Sequence, residues 1–324
     1  MERSGKEQNV VVFGGGTGLS NLLRGLKKNP AIHLTAIVTV ADDGGSSGRL
    51  LQQYDIPPPG DIRQVMGALS EAGPLVDRMF QYRFKGEEGL HGHTLGNLML
   101  AALTDVTGDF ANAIERLSSL FNVKGTVLPV ANERLTLHAE LEDGTIVTGE
   151  SKIPVYGTSI QRVYVSPQEV EPLPAAIEAV EQADYILIGP GSLYTSILPT
   201  LLVEEMRRAI IKSTSPKVYI SNLTTQIGET ASYTASDHVK ALYSHVGQPF
   251  LDTVVIHEPA DAVIHEQMVQ CLQQKGDRFV DNDVDELERY GVNVWKENIA
   301  TEREGRIVHD TDRIAQWFSS FTSR

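Results

Sequence analysis

Apolar residues in this chain come in short continuous runs, and the runs keep stopping at glycine. Asn9–Phe13 leads into Gly14-Gly15-Gly16-Thr17-Gly18, and Leu34–Val40 leads into Ala41-Asp42-Asp43-Gly44-Gly45-Ser46-Ser47-Gly48. An unbroken apolar run of this length reads as a strand covered on both faces, and a helical pattern restarts after each glycine turn. The same rhythm returns later. Asp184–Ile188 ends in Gly189-Pro190-Gly191-Ser192, Lys217–Ile220 ends in Ser221–Thr225, and Thr253–His257 precedes a helix at Asp261–Lys275. Helices are predicted over Ile62–Glu71, Pro74–Tyr82, Thr94–Thr107, Phe110–Leu120 and Ala175–Ala183. In the third of these, Leu95, Leu98, Met99, Ala102 and Leu103 form the stripe of a helix packed on one face.

Strands alternating with helices predict an α/β fold: a Rossmann-like, doubly wound, mostly parallel sheet with ligands at the carboxyl ends of its strands. The pattern changes at Gly125. Gly125–Val130 reads as a strand, and Leu135–Leu141 with Ile146–Glu150 reads as a hairpin around Glu142-Asp143-Gly144. Residues of about 131–166 are therefore a β-rich excursion, within a single nucleotide-binding domain spanning 1–324. Gly157–Pro174 leads back to the main sheet. At the far end, Asn293–Ala300 reads as a last strand region and Arg306–Phe321 as an amphipathic helix.

Charge narrows the partners. Lysine and arginine number 28 against 42 acids, a formal net charge of −14. That excludes a basic nucleic-acid face but not an anionic nucleotide, which local N–H groups can hold. The acid-rich stretches Asp277–Glu288 and Glu297–Glu304 read as a solvated face. No run approaches the roughly 20 apolar residues of a membrane span, and Met1–Gln8 is too polar for a signal peptide. The single cysteine, Cys271, excludes an internal disulfide framework and fits a reducing compartment, the cytoplasm.

The candidate chemistry sits in the turns. Reading G-x-G-x-x-G from Gly14 places Leu19 at the third glycine, so the motif indicates a nucleotide or phosphate rather than NAD specifically. Segments 14–20, 41–49, 189–196 and 221–230 should converge on one crevice. There Gly14, Gly15, Gly16, Thr17 and Gly18, with Gly189, Gly191 and Ser192, would cradle a diphosphate. Asp42 and Asp43 stand where a carboxylate can hold a ribose hydroxyl or a phosphate-bound Mg²⁺, or cap a turn. Ser46 and Arg63 join the binding set. So does Asp61, which is placed as an N-cap after three prolines. Asn97 is expected to reach into the crevice, and Asn222, Thr225 and Gln226 to read a uracil edge. Arg306 would clamp a phosphate. His91 and His93 lack a third ligand at any supportive spacing, so no metal site is assigned.

These motifs carry a resemblance over residues of about 9–318. V-V-F-G-G-G-T-G, A-I-V-T-V-A-D-D-G-G-S-S-G-R-L, P-P-P-G-D-I-R, G-H-T-L-G-N, D-G-T-I-V-T-G-E-S, I-G-P-G-S-L-Y-T-S and T-A-S-D-H-V together look like the gluconeogenesis factor family, in the superfamily of 2-phospho-L-lactate transferase. The resemblance implies a cytoplasmic bacterial protein serving growth on gluconeogenic carbon, cell shape and cell-wall synthesis. The ligand it implies is a UDP-sugar such as UDP-N-acetylglucosamine, with NAD as a second nucleotide candidate. Expected partners are that small-molecule nucleotide, cell-wall synthesis proteins and further copies of the chain in a homo-oligomer. The expectation is a regulator rather than an enzyme. The alternative is a Mg²⁺-dependent transferase using a nucleotide diphosphate donor, because the transferase relatives join a phospholactyl nucleotide to a deazaflavin with Mg²⁺. Asp42 or Asp43 matches their carboxylate near the acceptor.

Overall fold

The computed structural model describes residues 7–87, 89–156 and 159–323. Residues 1–6 of the polar start, and Gly157 at the head of the return segment, lie outside the described residues. Twelve strands are present among those described: β1 (Gln8–Gly14), β2 (Ile32–Val38), β3 (Thr126–Pro129), β4 (Thr136–Leu141), β5 (Ile146–Thr148) and β6 (Ile160–Ser166), then β7 (Tyr185–Ile188), β8 (Lys217–Ile220), β9 (Thr253–His257), β10 (Asn293–Glu297), β11 (Ala300–Arg303) and β12 (Arg306–His309). Seven of them form one parallel sheet in the order β10-β9-β8-β7-β1-β2-β3. The α/β class and the parallel sheet are as the pattern predicts.

The apolar runs explain the centre of the sheet. Val10, Val12, Phe13, Ile186, Leu187 and Ile188 have no exposed surface, because helices cover both faces. Helix 16–26 returns the chain from β1 to β2 and buries Leu19, Leu22, Leu23 and Leu26. At about 2 kcal/mol per fully buried leucine, that face anchors the first βα turn to the sheet. The last helix, 311–322, lies against helix 16–26, where the Thr311 carbonyl fills the space a side chain at Gly25 would need. Strand order reverses between β1 and β7. Their crossovers leave on opposite sides, so a crevice opens there at the carboxyl ends.

Two segments differ from the sequence reading. The excursion is a three-stranded antiparallel sheet, β5-β4-β6, rather than a hairpin alone. Leu137, Ala139 and Leu141 face its buried side as the alternation requires. Arg306–His309 is strand, not the start of the last helix. It pairs antiparallel with β11 across a turn in which Glu304 (φ 52°) and Gly305 (φ 70°) are both left-handed, the conformation of a tight hairpin. The helix begins only at Thr311, where the Asp310 carboxylate accepts from the backbone N–H groups of Asp312 and Arg313. Among the described residues no helix is long and apolar enough to cross a membrane.

Candidate functional site

A cleft of about 340 Å³ occupies the switch point. One wall is the β1 turn, with Gly15, Gly16, Thr17 and Gly18. The opposite wall is the β7 turn, with Pro190, Gly191, Ser192 and Ser196. Asn222, Leu223, Thr224 and Gln226 continue it from β8, and Ile307, Val308 and His309 of β12 close one side. Helix 16–26 starts on this cleft without a side-chain cap from Gly15, its N-cap residue. Its positive dipole end and the first-turn N–H groups beyond Gly16, whose own N–H is taken by the Asp61 carboxylate, are therefore available to an anion.

The glycines there have different duties. Gly16 (φ 63°) has the left-handed backbone that starts the helix, and the nearest atoms to a side chain on it are 3.9 Å and 4.0 Å away. Gly15 has no such freedom, because a Cβ would meet the Asp61 carboxylate. Gly18 has none either, since a Cβ would stand 2.6 Å from the Pro190 carbonyl oxygen. Two of the glycines thus let the protein pack on itself.

The β7 turn is built from a π-type turn over Leu193–Ile197, in which the N–H groups of Ser196 and Ile197 both donate to the Ser192 carbonyl (2.9 and 3.0 Å). Glu229 holds it from beneath, accepting from the Tyr194 N–H at 3.3 Å and the Thr195 hydroxyl at 3.1 Å. Gln226 ties the β8 loop to it by donating from Nε2 to Ser192 Oγ at 2.9 Å.

Beside this cleft stands a group of carboxylates drawn from four segments: Asp42 and Asp43, Asp61, Glu150 and Glu229. Asp42 accepts from the Gly44 N–H at 2.9 Å and bonds Ser47; Asp43 accepts from the Ser151 N–H at 2.9 Å. Both caps hold loops in place. Asp61 is not an N-cap. It lies in the first turn of helix 60–69 and accepts from the Gly16 N–H, so it sits half-buried under the β1 turn. Burial, then the neighbouring Asp42 charge, raises its carboxyl to about 7, against the favourable Gly16 and Arg63 contributions. Burial and the surrounding acids raise Glu150 to about 8. Among the described residues, no three histidine, cysteine, aspartate or glutamate side chains are grouped to hold a metal ion. A Mg²⁺ ion therefore has no ready-made protein cage among the described residues.

Arg63 is buried, with Nε donating to Asn97 Oδ1 at 2.8 Å and Nη1 donating to Gln81. Burial and Arg83 lower it to about 10, still charged at neutral pH. Asn97 is spent on this contact and is 2% exposed. Ser46 Oγ pairs with His93 Nδ1 at 3.0 Å, both buried.

Of the residues singled out in the sequence, the cleft gathers Gly15, Gly16, Thr17, Gly18, Gly191, Ser192, Asn222 and Gln226. Gly14 and Gly189 end their strands behind it, at φ 151° and 73°. Thr225 is buried with its N–H on the Arg278 carbonyl at 3.0 Å, and Arg306 is exposed opposite Arg303 on the hairpin. Asp42, Asp43, Ser46, Asp61, Arg63 and Asn97 form the adjoining polar group. The sequence reading left out His309, Asn21 and Glu150, and it carried Ser196 and Glu229 only as members of the converging segments 189–196 and 221–230. Glu150 stood in one of the quoted motifs, but nothing local connects it or Glu229 to residues 42–61.

Comparison with known proteins gives a consistent answer. Residues 10–300 match the family model of 2-phospho-L-lactate transferase CofD. A protein named gluconeogenesis factor from Bacillus subtilis strain 168 is 51% identical over 311 residues, which is 96% of this chain and 97% of that one. One of the same name from Halalkalibacterium halodurans is 50% identical, covering 96% and 95%. A crystal structure of a Bacillus halodurans protein superposes with a TM-score of 0.92 at 49% identity, covering 97% of this chain and all of that one.

Proposed function

Because the chain belongs to the 2-phospho-L-lactate transferase CofD family, alongside relatives named gluconeogenesis factor, we propose that it is a cytoplasmic nucleotide-diphosphate-binding regulator. Its ligand on this reading is a UDP-sugar of the UDP-N-acetylglucosamine type, through which it couples carbon supply to cell-wall synthesis and cell shape. The observation that carries the reading is the cleft at the strand reversal. Two backbone turns face each other there, one opening a helix whose first-turn N–H groups beyond Gly16 have no side-chain cap from the N-cap residue. A diphosphate between Gly16–Gly18 and Gly191–Ser192 would leave the nucleoside towards the β8 loop and β12. The sugar would lie towards Asp61 and Glu150, whose protonated forms can donate to hydroxyls.

The second reading, a transferase, draws on those same carboxylates. Calorimetry with UDP-N-acetylglucosamine and NAD, with Mg²⁺ present, tests both. The expected result is stoichiometric binding without turnover, with the UDP-sugar at least about tenfold (1.4 kcal/mol) tighter than NAD. Equal or reversed affinities refute the sugar-nucleotide reading. Repeated release of UDP or UMP puts the transferase in its place.

A further inference from the structure

One ring nitrogen in the cleft wall is left without a protein partner and open to the cleft. His309 ends β12, lines the cleft and is 7% exposed. Its Nε2 stands 3.1 Å from the Ser221 carbonyl oxygen. A carbonyl only accepts, so Nε2 carries the proton and Nδ1 is the unprotonated nitrogen. Among the described residues nothing donates to Nδ1, and Nδ1 is not one of the polar atoms sealed away from solvent. It therefore opens on the cleft as a lone-pair acceptor. Burial lowers the ring to about 4, so it stays an acceptor at neutral pH.

Two neighbouring polar side chains of this wall are partly engaged, and the unpartnered Gln226 Oε1 is sealed from solvent. Gln226 donates to Ser192, and Asn222 Oδ1 accepts from the Gly191 N–H at 3.4 Å. Beside His309 the lining is apolar, from Leu223 and Ile307, which suits the flat face of a base.

We infer that His309 is a specificity-determining residue of this cleft: its Nδ1 accepts a hydrogen bond from the nucleoside, either a ring N–H or a ribose hydroxyl, while the diphosphate rests on the two turns. The inference rests on the nucleotide reading of the cleft. A fixed acceptor that the bound ligand covers from water discriminates strongly, because a ligand without the matching donor leaves it unpaired.

The test is calorimetry of the whole protein with UDP, its 3-methyl, 2′-deoxy and 3′-deoxy analogues, and inorganic pyrophosphate. His309→Gln keeps an N–H for the Ser221 carbonyl and deletes the Nδ1 acceptor. His309→Asn keeps an acceptor near Nδ1 and gives up the Ser221 bond. One analogue should bind the parent at least tenfold more weakly than UDP, and which one identifies the donor. His309→Gln should show the same tenfold loss for UDP, no further loss for that analogue, and unchanged pyrophosphate binding. His309→Asn should keep the discrimination. If all three analogues bind the parent as tightly as UDP, the inference fails without any variant. UDP binding equally well to parent and His309→Gln defeats it too, with the nucleotide reading intact. Absence of UDP binding to the parent overturns that reading, and the inference with it.

Discussion

Gly18 and Gly191 face each other across the junction of the two turns, and replacing each by alanine should have opposite results. At Gly18 the added Cβ would stand 2.6 Å from the Pro190 oxygen, 2.9 Å from its carbonyl carbon and 3.1 Å from Gly191 Cα. These are backbone atoms and cannot rotate away. Overpacking costs about 1–3 kcal/mol, and a backbone neighbour argues for the upper end, near 3. Against this, Gly18 lies inside helix 16–26, where glycine to alanine returns about 1 kcal/mol. The net expectation is a loss of about 2 kcal/mol. For a chain of this size that lowers the melting temperature by roughly 3 °C. At Gly191 the nearest atoms would be 3.5, 3.6 and 3.8 Å away, ordinary contact distances, so stability should stay within about 0.5 kcal/mol of the parent. Urea titrations of the two variants, at equal m-values, give the comparison directly. Gly18→Ala should also weaken UDP-sugar binding by parting the turns. If Gly18→Ala proves as stable as Gly191→Ala, the close approach of helix 16–26 to the β7 turn is not as described, and the diphosphate placement falls with it.

Asp61 makes stability depend on pH with a definite sign. Its folded pKa of about 7 lies above the unfolded value of about 3.9, so the folded state binds the extra proton and stability falls as pH rises from about 4 to 7. Asp61→Asn should flatten that slope in denaturant titrations and be the more stable protein at pH 8; an unchanged slope refutes the assignment. Thr234→Ala removes a capping box shared with Asp237 at the head of helix 235–246 and should cost about 1 kcal/mol, read as a shift in the urea midpoint. Arg63→Lys loses the planar fork that reaches Asn97 and Gln81, and a loss of about 1–3 kcal/mol is expected; a neutral outcome would show that the buried contacts are dispensable.

What the chain disclosed in advance follows the range of the interactions. The runs at Lys217–Ile220 and Thr253–His257 match β8 and β9 end for end, because a strand buried on both faces needs only its own apolar side chains and a polar stop. Ile160–Ser166 falls inside the β-rich excursion of about 131–166 but carries no strand signal of its own: its polar Gln161 and Arg162 dilute the alternation, and β4 supplies the order. The β11–β12 hairpin was hidden for a similar reason, since four residues of strand run within two of an amphipathic helix. The Glu304-Gly305 pair was its only local sign. In the site, backbone turns were legible and side-chain partnerships were not. Nothing near Asp61 announces that it will sit beneath Gly15, and Arg63 meets Asn97 across 34 residues of chain. His309 went unnoticed because its value comes from the carbonyl of Ser221, 88 residues earlier.

The cleft joins the earliest and latest parts of the chain. Its glycine turn is complete by residue 18, yet the wall carrying Ile307–His309 comes far later in the chain and is braced by helix 311–322 against helix 16–26. On a ribosome adding ~5–20 residues per second, the two walls are separated by roughly 15–60 s of synthesis. A nascent chain therefore carries an open half-site throughout that interval. On the proposed nucleotide reading, ligand retention would report that helix 311–322 has docked against helix 16–26.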